Sequence, residues 1–366
     1  MLTLAKSLIQ PTMRQLMWGV ASRRWTTSTL LHNLAPTSPS IINQLLSSDI
    51  SSKREIEQDI TPALDRKLLQ LSSKTSLHEL IRQYVAESGT VLDVFLPYES
   101  QPAISRRPNL VDAADSTRNV ITVAHCAQFG NAHKITLSSG FALNVDFTSK
   151  ENTKETLIVT CAHTLEEIRN SPLLLSMPST QDSKLKQRSG SFIVTGSGNS
   201  LRVFPVSRVV SALPRSDLML LSCEVPEGAL NTLPVSPYAA RRGTDIEAHF
   251  VTHGKPIDDG WSPWIADTWG KWHQGKVVGY RDFGGSEAEP GTYDALSHLL
   301  FTPLPTAGSS GGPIIDKESG AVVGVMRGTL MDNRVEGLRG WGAPSETIFE
   351  TNHYVVLDVQ ITWVGV

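Results

Sequence analysis

Short apolar runs separated by turn residues dominate the chain from about residue 91 onward. Each run is rich in Val, Ile, Leu or Thr, and most begin or end at Gly, Pro, Asn, Asp or Ser, which is typical of β-strands. The runs lie at residues 91–96, 119–126, 156–160, 218–222 and 275–280. Two more runs surround a turn within residues 313–326 and predict a hairpin. The polar stretch 171–200 is interpreted as surface loops around a short apolar segment at 191–194.

Two helices are predicted before the first strand. Thr61 and Pro62 provide a cap and a first-turn proline, and Ser76 with Glu79 forms a capping box for a second helix that ends at Gly89. The apolar residues behind these signals are Leu64, Leu68, Leu69 and Leu71, then Leu77, Leu80, Ile81, Tyr84 and Val85. We interpret the helices as an arm that packs on the following domain. A contact between two copies of the chain is the alternative.

Residues 1–48 contain no acidic residue but several basic ones and many Ser and Thr. Met13, Leu16, Met17 and Val20 share one helical face in this stretch. An acid-poor, basic amphipathic segment predicts a mitochondrial presequence, with cleavage close to Trp25. A disordered tail is the alternative. The Pro- and Ser-rich residues 35–40 are typical of a linker.

Composition excludes two classes of partner. A hydrophobic share of 40% with 19% charged residues is ordinary for a globular protein. The net charge of −3 gives no basic surface for nucleic acid. Apolar runs stay well short of the eighteen or so residues that a membrane helix needs, so we expect no integral membrane segment.

The stretch 308–313, Gly-Ser-Ser-Gly-Gly-Pro, carries the strongest chemical signal. Glycines on both sides of Ser310 allow a tight turn and leave backbone N–H groups open to a substrate. Ser310 could act as a nucleophile if a histidine accepts its proton. A plain Gly-Ser turn is the simpler interpretation. A nucleophile elbow completed by Asp332 and His353 is disfavoured, because a strand and not a helix follows the serine.

Both partners of a catalytic serine occur upstream. His163 follows a β-prone run, and Asp217 stands at the start of another. The segments 159–163, 216–221 and 308–313 resemble the three signatures of trypsin-like serine proteases. Residues 139–141, 254–256 and 342–345 further resemble the HtrA-like (DegP-like) branch. Only residues 351–366 remain after the last predicted helix, so we expect no PDZ domain.

The resemblance implies an all-β fold of two six-stranded antiparallel barrels, with a short N-terminal helical extension and a C-terminal helix. The expected boundaries are presequence and linker 1–48, helical extension 49–90, and protease domain 91–366. Within that domain, barrel one covers about 91–235 and barrel two about 236–350. The N-terminal helices would be candidates for joining two copies of the chain.

The resemblance also implies a serine endopeptidase that acts on polypeptides without a cofactor or metal. His163 would be the base, Asp217 would orient it, and Ser310 would attack the peptide carbonyl. Gly308, Ser309 and Ser310 would form the oxyanion hole, with the N–H groups of Gly308 and Ser310 as donors. The alternative is a protease-fold binding or scaffold protein that has lost turnover.

His125 is a rival for the catalytic histidine, because Ala-His-Cys at 124–126 copies the usual surroundings of that residue. His163 is preferred, since it alone has the 139–141 strand upstream. The chain has three cysteines, and a metal site formed by Cys126, Cys161 and the two histidines matches no zinc spacing. Few unpaired cysteines favour a reducing compartment, so we expect the mitochondrial matrix, with the intermembrane space as the alternative.

The resemblance places the floor of the primary substrate pocket at Leu304 and its far wall at Met326, Arg327 and Gly328. No acid occurs near these positions, and Arg327 would add a positive charge at the rim. We therefore expect cleavage after Val, Ala or Leu and not after Arg or Lys.

One segment is harder to assign. Four tryptophans, Trp261, Trp264, Trp269 and Trp272, lie among the acidic residues Asp258, Asp259 and Asp267. A loop that packs its own aromatic rings is the preferred interpretation, with a carbohydrate- or peptide-binding lip as the alternative.

Overall fold

The computed structural model of the chain describes residues 63–112, 118–145, 147–148, 154–176, 187–197, 200–265 and 268–351. The predicted presequence at 1–48 lies outside the described residues, as do His353 and the cap formed by Thr61 and Pro62.

The first half of the described chain forms a closed barrel. Its strands are β1 (Ile121–Phe129), β2 (Ala132–Leu143), β3 (Phe147–Thr148), β4 (Lys154–Cys161), β5 (Gln187–Thr195), β6 (Arg202–Leu213), β7 (Leu218–Cys223) and β8 (Thr232–Leu233). Six long strands pair antiparallel in the order β1-β2-β4-β7-β6-β5, and β5 pairs back with β1. Closure leaves none of the six as an edge strand.

The second half forms another closed barrel. Its strands are β9 (Asp245–His253), β10 (Ser262–Pro263), β11 (Thr268–Arg281), β12 (Glu287–Ala288), β13 (His298–Thr302), β14 (Pro313–Asp316), β15 (Val322–Asn333) and β16 (Gly337–Pro344). Six of them close antiparallel in the order β9-β11-β13-β16-β15-β14. The predicted pair of six-stranded antiparallel barrels is confirmed.

Helices are few and short. They are α1 (Ala63–Gln70), α2 (Leu77–Ala86), α3 (His163–Arg169), α4 (Pro172–Ser176) and α5 (Glu346–Glu350), with 3₁₀ turns at Ile104–Arg106 and Pro214–Ser216. Ser76 caps α2, since its hydroxyl accepts a hydrogen bond from the Glu79 amide at 3.3 Å. Gly89 follows that helix with a φ of +77°, a conformation that favours glycine. The helical extension and the C-terminal helix are therefore both confirmed.

The N-terminal arm is part of the barrel-one core. Leu77, Leu80 and Tyr84 of α2 are buried in the same cluster as the interior of barrel one. Lys74 forms an ion pair with Glu224 at 2.6 Å, and the Val209 amide donates to the Gln83 side chain at 3.0 Å. The arm packs on the following domain, as expected. A contact between two copies of the chain stays a prediction.

A cluster of buried hydrophobic side chains lies between the two barrels. Leu157 and Leu220 of barrel one pack with Ile315, Val322 and Val325 of barrel two. All five side chains are almost completely buried. Strands β4 and β7 of barrel one are consequently packed against β14 and β15 of barrel two.

Two predictions about secondary structure were wrong. Residues 91–96 form no strand, although the buried Leu96 packs its apolar face on the cluster between the barrels. The Leu92 amide donates instead to the Thr351 carbonyl at 2.8 Å, which holds the segment against the end of α5. The region 171–200 is not all surface loop: α4 occupies its start, and β5 is a barrel strand with Phe192, Ile193 and Val194 buried.

Candidate active site

His163 and Asp217 form a hydrogen-bonded pair at one end of barrel one. The imidazole Nδ1 donates to Asp217 Oδ2 at 2.7 Å. The second carboxylate oxygen, Oδ1, accepts from the backbone amides of His163 at 2.8 Å and Ala162 at 3.0 Å. Three donors thus fix this carboxylate and hold the ring in a single orientation, with its Nε2 on the far side.

The order of the strands explains why the two residues meet. β4 and β7 are antiparallel neighbours, and Cys161 at the end of β4 pairs with Leu218 at the start of β7. The residues just beyond these ends must therefore lie side by side. Asp217 takes a φ of +54°, a left-handed conformation that aspartate tolerates better than most residues.

The charge of Asp217 changes the acid–base behaviour of His163. Burial alone would lower the pKa of the imidazole, but the hydrogen bond to Asp217 and the nearby Cys161 sulfur outweigh it. The pKa of His163 is therefore raised above its ordinary value of 6.5. The pair favours the protonated imidazole, which is the form that a general base reaches after it has accepted a proton.

The glycine turn before β14 presents two open amides. Gly308 has a φ of +91°, and the Ser309 N–H donates to the Thr306 carbonyl at 3.2 Å. Within the described part of the chain, the N–H groups of Gly308 and Ser310 have no hydrogen-bond partner. Of the three residues predicted for the oxyanion hole, Gly308 and Ser310 offer donors, while the amide of Ser309 is already engaged.

Gly311 brings this turn against the strand that carries His163. Its φ is +84°, and a Cβ atom there would lie 2.8 Å from the backbone nitrogen of Cys161. Only glycine permits both the left-handed conformation and this close approach. The nucleophile candidate Ser310 is thereby held next to the end of β4, from which His163 projects two residues later.

Ser310 itself is turned away from the imidazole. Its Oγ donates to the backbone carbonyl of Arg327 at 3.1 Å. The Nε2 atom of His163 instead faces the Sγ of Cys161 at 3.8 Å. Among the described residues, no hydrogen bond joins Ser310 to His163. Catalytic hydrogen bonds are often long or misaligned without a substrate, so this arrangement is compatible with Ser310 as the nucleophile.

Ser139 of β2 organises the nucleophile turn. Its amide donates to the Ser310 carbonyl at 2.8 Å, and its hydroxyl donates to the Gly308 carbonyl at 2.8 Å. Thr160 of β4 donates in turn to the Ser139 carbonyl at 2.8 Å. Sequence reasoning used Ser139 only as part of a family signature, and missed that it ties the turn of barrel two to barrel one.

The residues predicted to line the substrate pocket differ in their exposure to solvent. Leu304 is 43% exposed and Gly328, with a φ of +142°, borders open space. Met326 is completely buried, and its side chain belongs to the core of barrel two. Its backbone carbonyl and amide bond to Gly311 and Gly312, at 2.7 and 2.8 Å, beside the glycine turn. A role for Met326 in the pocket stays a prediction. A β-bulge between Met326 and Gly328 interrupts the alternation of faces along β15.

Arg327 lies beside the candidate catalytic pair. Its Nε is 3.8 Å from Asp217 Oδ2, and its guanidinium carbon lies 4.6 Å from the centre of the Trp341 ring. The side chain is only 14% exposed. Burial lowers the pKa of Arg327, and the charge of Asp217 opposes that shift. Nothing in the local sequence signals this placement.

The rival residues are occupied elsewhere. His125 is completely buried inside barrel one, with its Nδ1 2.7 Å from the Ser191 hydroxyl, and burial lowers its pKa to about 3. Asp332 forms two hydrogen bonds with Arg281, at 2.9 and 3.1 Å. The three cysteines are free and buried, and the described residues contain no cluster of three or more potential metal ligands.

The tryptophan-rich segment packs its own rings. Trp264 is 4% exposed, and Trp264 and Trp272 both pack edge-to-face against His249, with ring centres 4.8 and 5.3 Å from the imidazole. Trp269 lies within β11 and pairs with Pro263 of β10. This favours the packing interpretation over a binding lip.

In the described residues, none of the helices has the length and apolar character to cross a bilayer.

Comparison with known proteins gives one family. The profile of the trypsin-like peptidase domain matches residues 138–325, just over half of the chain. The match includes His163, Asp217 and Ser310. No match was found among curated protein sequences.

Several solved structures resemble the chain. Deg5 is 15% identical with a TM-score of 0.39, covering 64% of this chain and 86% of its own. The protease domain of MamO from Magnetospirillum magneticum is 15% identical with a TM-score of 0.37, covering 63% of this chain and 96% of its own. The serine endoprotease of Yersinia pestis is 16% identical with a TM-score of 0.37, covering 68% of this chain and 62% of its own.

Proposed function

Because the chain belongs to the trypsin-like peptidase family, we propose that it is a serine endopeptidase that uses Ser310, His163 and Asp217. The observation that carries the proposal is the His163–Asp217 pair, at 2.7 Å, beside a glycine turn with two uncommitted amides. Each element of an acyl-transfer site has a counterpart here: nucleophile, base, orienting carboxylate and oxyanion donors.

The proposed reaction begins when the Ser310 hydroxyl gives its proton to His163 Nε2 and its oxygen bonds to the peptide carbonyl carbon. The carbonyl oxygen becomes an oxyanion, and the N–H groups of Gly308 and Ser310 stabilise it. The C–N bond then breaks as His163 returns the proton to the departing amine. Water repeats the sequence on the Ser310 ester, which releases the acid and restores the enzyme.

Two contacts must change before the first step. The Ser310 hydroxyl must leave the Arg327 carbonyl, and it must then form a hydrogen bond to His163 Nε2, which lies 3.8 Å from the Cys161 sulfur. The resting arrangement would keep the serine in its unactivated form until a substrate arrives.

The edge of β15 offers a place for the substrate backbone. β14 pairs with β15 only as far as Val325, while β16 pairs with the other edge from Gly324 to Asn333. Beyond Val325, one edge of β15 is therefore without a strand partner among the described residues. A peptide that adds there as a strand would place one side chain near Leu304 and Gly328, which supports cleavage after Val, Ala or Leu.

A protease-fold binding protein without turnover is the second candidate. The observation in its favour is the hydrogen bond from the Ser310 hydroxyl to the Arg327 carbonyl, which leaves the nucleophile unactivated. Labelling with a fluorophosphonate decides between the two, because the reagent bonds only to an activated serine. The proposal expects labelling of the wild type and of Ser286→Ala, which alters an exposed serine, and none of Ser310→Ala. A wild-type chain that stays unlabelled would favour the second candidate.

We further propose that the protein acts in mitochondria, with the matrix favoured over the intermembrane space. The support is the acid-poor, basic composition of residues 1–48. A contact between two copies of the chain through the N-terminal helices also stays a proposal.

A further inference from the structure

Arg327 is a cation enclosed beside the proposed catalytic carboxylate. Its Nε lies 3.8 Å from Asp217 Oδ2, the same oxygen that accepts the proton of His163 Nδ1 at 2.7 Å. Within the described residues, Asp217 is the acid that forms an ion pair with this guanidinium. One carboxylate oxygen therefore serves both the imidazole and the arginine.

Three further contacts fix the guanidinium. It stacks on Trp341, with 4.6 Å between its central carbon and the ring centre. One terminal nitrogen lies 3.3 Å from His298 Nδ1, and the other donates to the Arg215 carbonyl at 3.4 Å. A planar guanidinium that stacks on a ring and is contacted at both terminal nitrogens has little freedom to move away from Asp217.

We propose that Arg327 is a positioning residue of the catalytic pair, whose charge holds Asp217 in place while limiting how firmly the carboxylate retains a proton on His163. This inference rests on the proposed function. In the second half of each acyl transfer, His163 must give its proton away. A carboxylate with no counter-charge other than the imidazolium would hold that proton more tightly, and Arg327 weakens the hold.

Other charged or titratable groups face the pair from each neighbouring element. They are Cys161 of β4, Glu166 of α3, Tyr84 of α2, Arg215 of the 3₁₀ turn and His298 of β13. Tyr84 donates to Glu166 at 2.6 Å, so that carboxylate already has a hydrogen-bond partner. The side chain of Arg215 is exposed. Arg327 is thus the enclosed cation whose removal should change His163 most.

The test is an NMR titration of the His163 imidazole in the full chain, with its signals assigned by their loss in His163→Asn. The variants are Arg327→Gln and Arg327→Met, which remove the charge, and Arg327→Lys, which keeps it. Arg215→Gln is the matched control, because it removes an equal charge two residues from Asp217 but in solvent. We expect the titration midpoint to rise by about 0.5–1 pH unit in both neutral variants and to change by less than about 0.2 in Arg327→Lys and Arg215→Gln.

The pH profile of peptide hydrolysis separates this role from a merely structural one. With the charge removed, kcat/KM should fall about three- to tenfold at pH 7 and recover at higher pH, because more His163 is protonated at neutral pH. A structural defect would lower the rate equally at every pH. If the neutral variants do not fold, Trp341→Leu, which frees the guanidinium without removing charge, should move the midpoint in the same direction.

An unchanged midpoint in folded Arg327→Gln or Trp341→Leu would overturn the inference. The outcome is separable from that of the proposed function. A raised midpoint in a chain that no fluorophosphonate labels would keep the effect of Arg327 and reject the endopeptidase. Normal labelling with an unchanged midpoint would keep the endopeptidase and reject the effect of Arg327.

Discussion

Acid should destabilise the fold through two histidines that it buries in neutral form. His125 is completely buried, and its Nε2 has no hydrogen-bond partner among the described residues. His249 is 4% exposed between Trp264 and Trp272, and its Nδ1 likewise lacks a partner there. Burial lowers the pKa of both imidazoles to about 3.

The sign and size follow from proton linkage. An unfolded histidine binds a proton near pH 6.5, whereas each buried ring stays neutral down to about pH 3. Between these values only the unfolded chain takes up the proton, so the free energy of unfolding falls as the pH falls. The loss is about 1.4 kcal/mol per pH unit for each residue, or about 2 kcal/mol each at pH 5. Two such losses are a large part of the roughly 5–15 kcal/mol typical of a folded protein.

The assay is denaturant unfolding at pH 7 and pH 5 for the wild type, His125→Asn and His253→Asn. Asparagine can keep a hydrogen bond to Ser191 but cannot take up a proton. We expect the stability lost between the two pH values to shrink by about 2 kcal/mol in His125→Asn. His253 is exposed, so its variant should keep the wild-type loss. An identical loss in His125→Asn and the wild type would refute the reasoning, because all carboxylates titrate equally in both.

Three further predictions concern function and processing. His163→Ala should abolish peptide hydrolysis, whereas His125→Asn should keep it within about tenfold, since His125 lies inside barrel one away from Asp217; exchanged phenotypes in a kinetic assay would contradict the site. Cleavage of a peptide library should occur after Val, Ala or Leu, and dominant cuts after Arg or Lys would show that the assignment of Leu304 and Gly328 is mistaken. The mature protein from mitochondria should begin near Thr26, and N-terminal sequencing that finds Met1 retained there would reject the presequence.

Local patterns predicted the elements that depend on neighbours in sequence. The capping box at Ser76 and the strand at residues 156–160 needed only propensity and periodicity, and both are present. The preference for His163 over His125 came from the order of signatures along the chain. The structure agrees to the extent that β4 delivers His163, and not His125, to Asp217.

The features that could not be predicted from the sequence depend on contacts between residues far apart in the chain. The segment 91–96 has a strand pattern, but the Leu92 amide bonds to the carbonyl of Thr351, a residue that is distant in sequence and follows α5. The contact between Arg327 and Asp217 could not be predicted, because it requires Trp341, Asp217 and the bulge of β15 to come together. Ser139 could not be identified as the link to Gly308 for the same reason.

The central claim is that Ser310 is a nucleophile activated by His163. Its most direct test is mass spectrometry of the purified chain after reaction with a fluorophosphonate, with the adduct located by peptide mapping. The account predicts one adduct per chain, on Ser310, that is lost in His163→Ala. An adduct on another serine, or undiminished modification of Ser310 in His163→Ala, would contradict it.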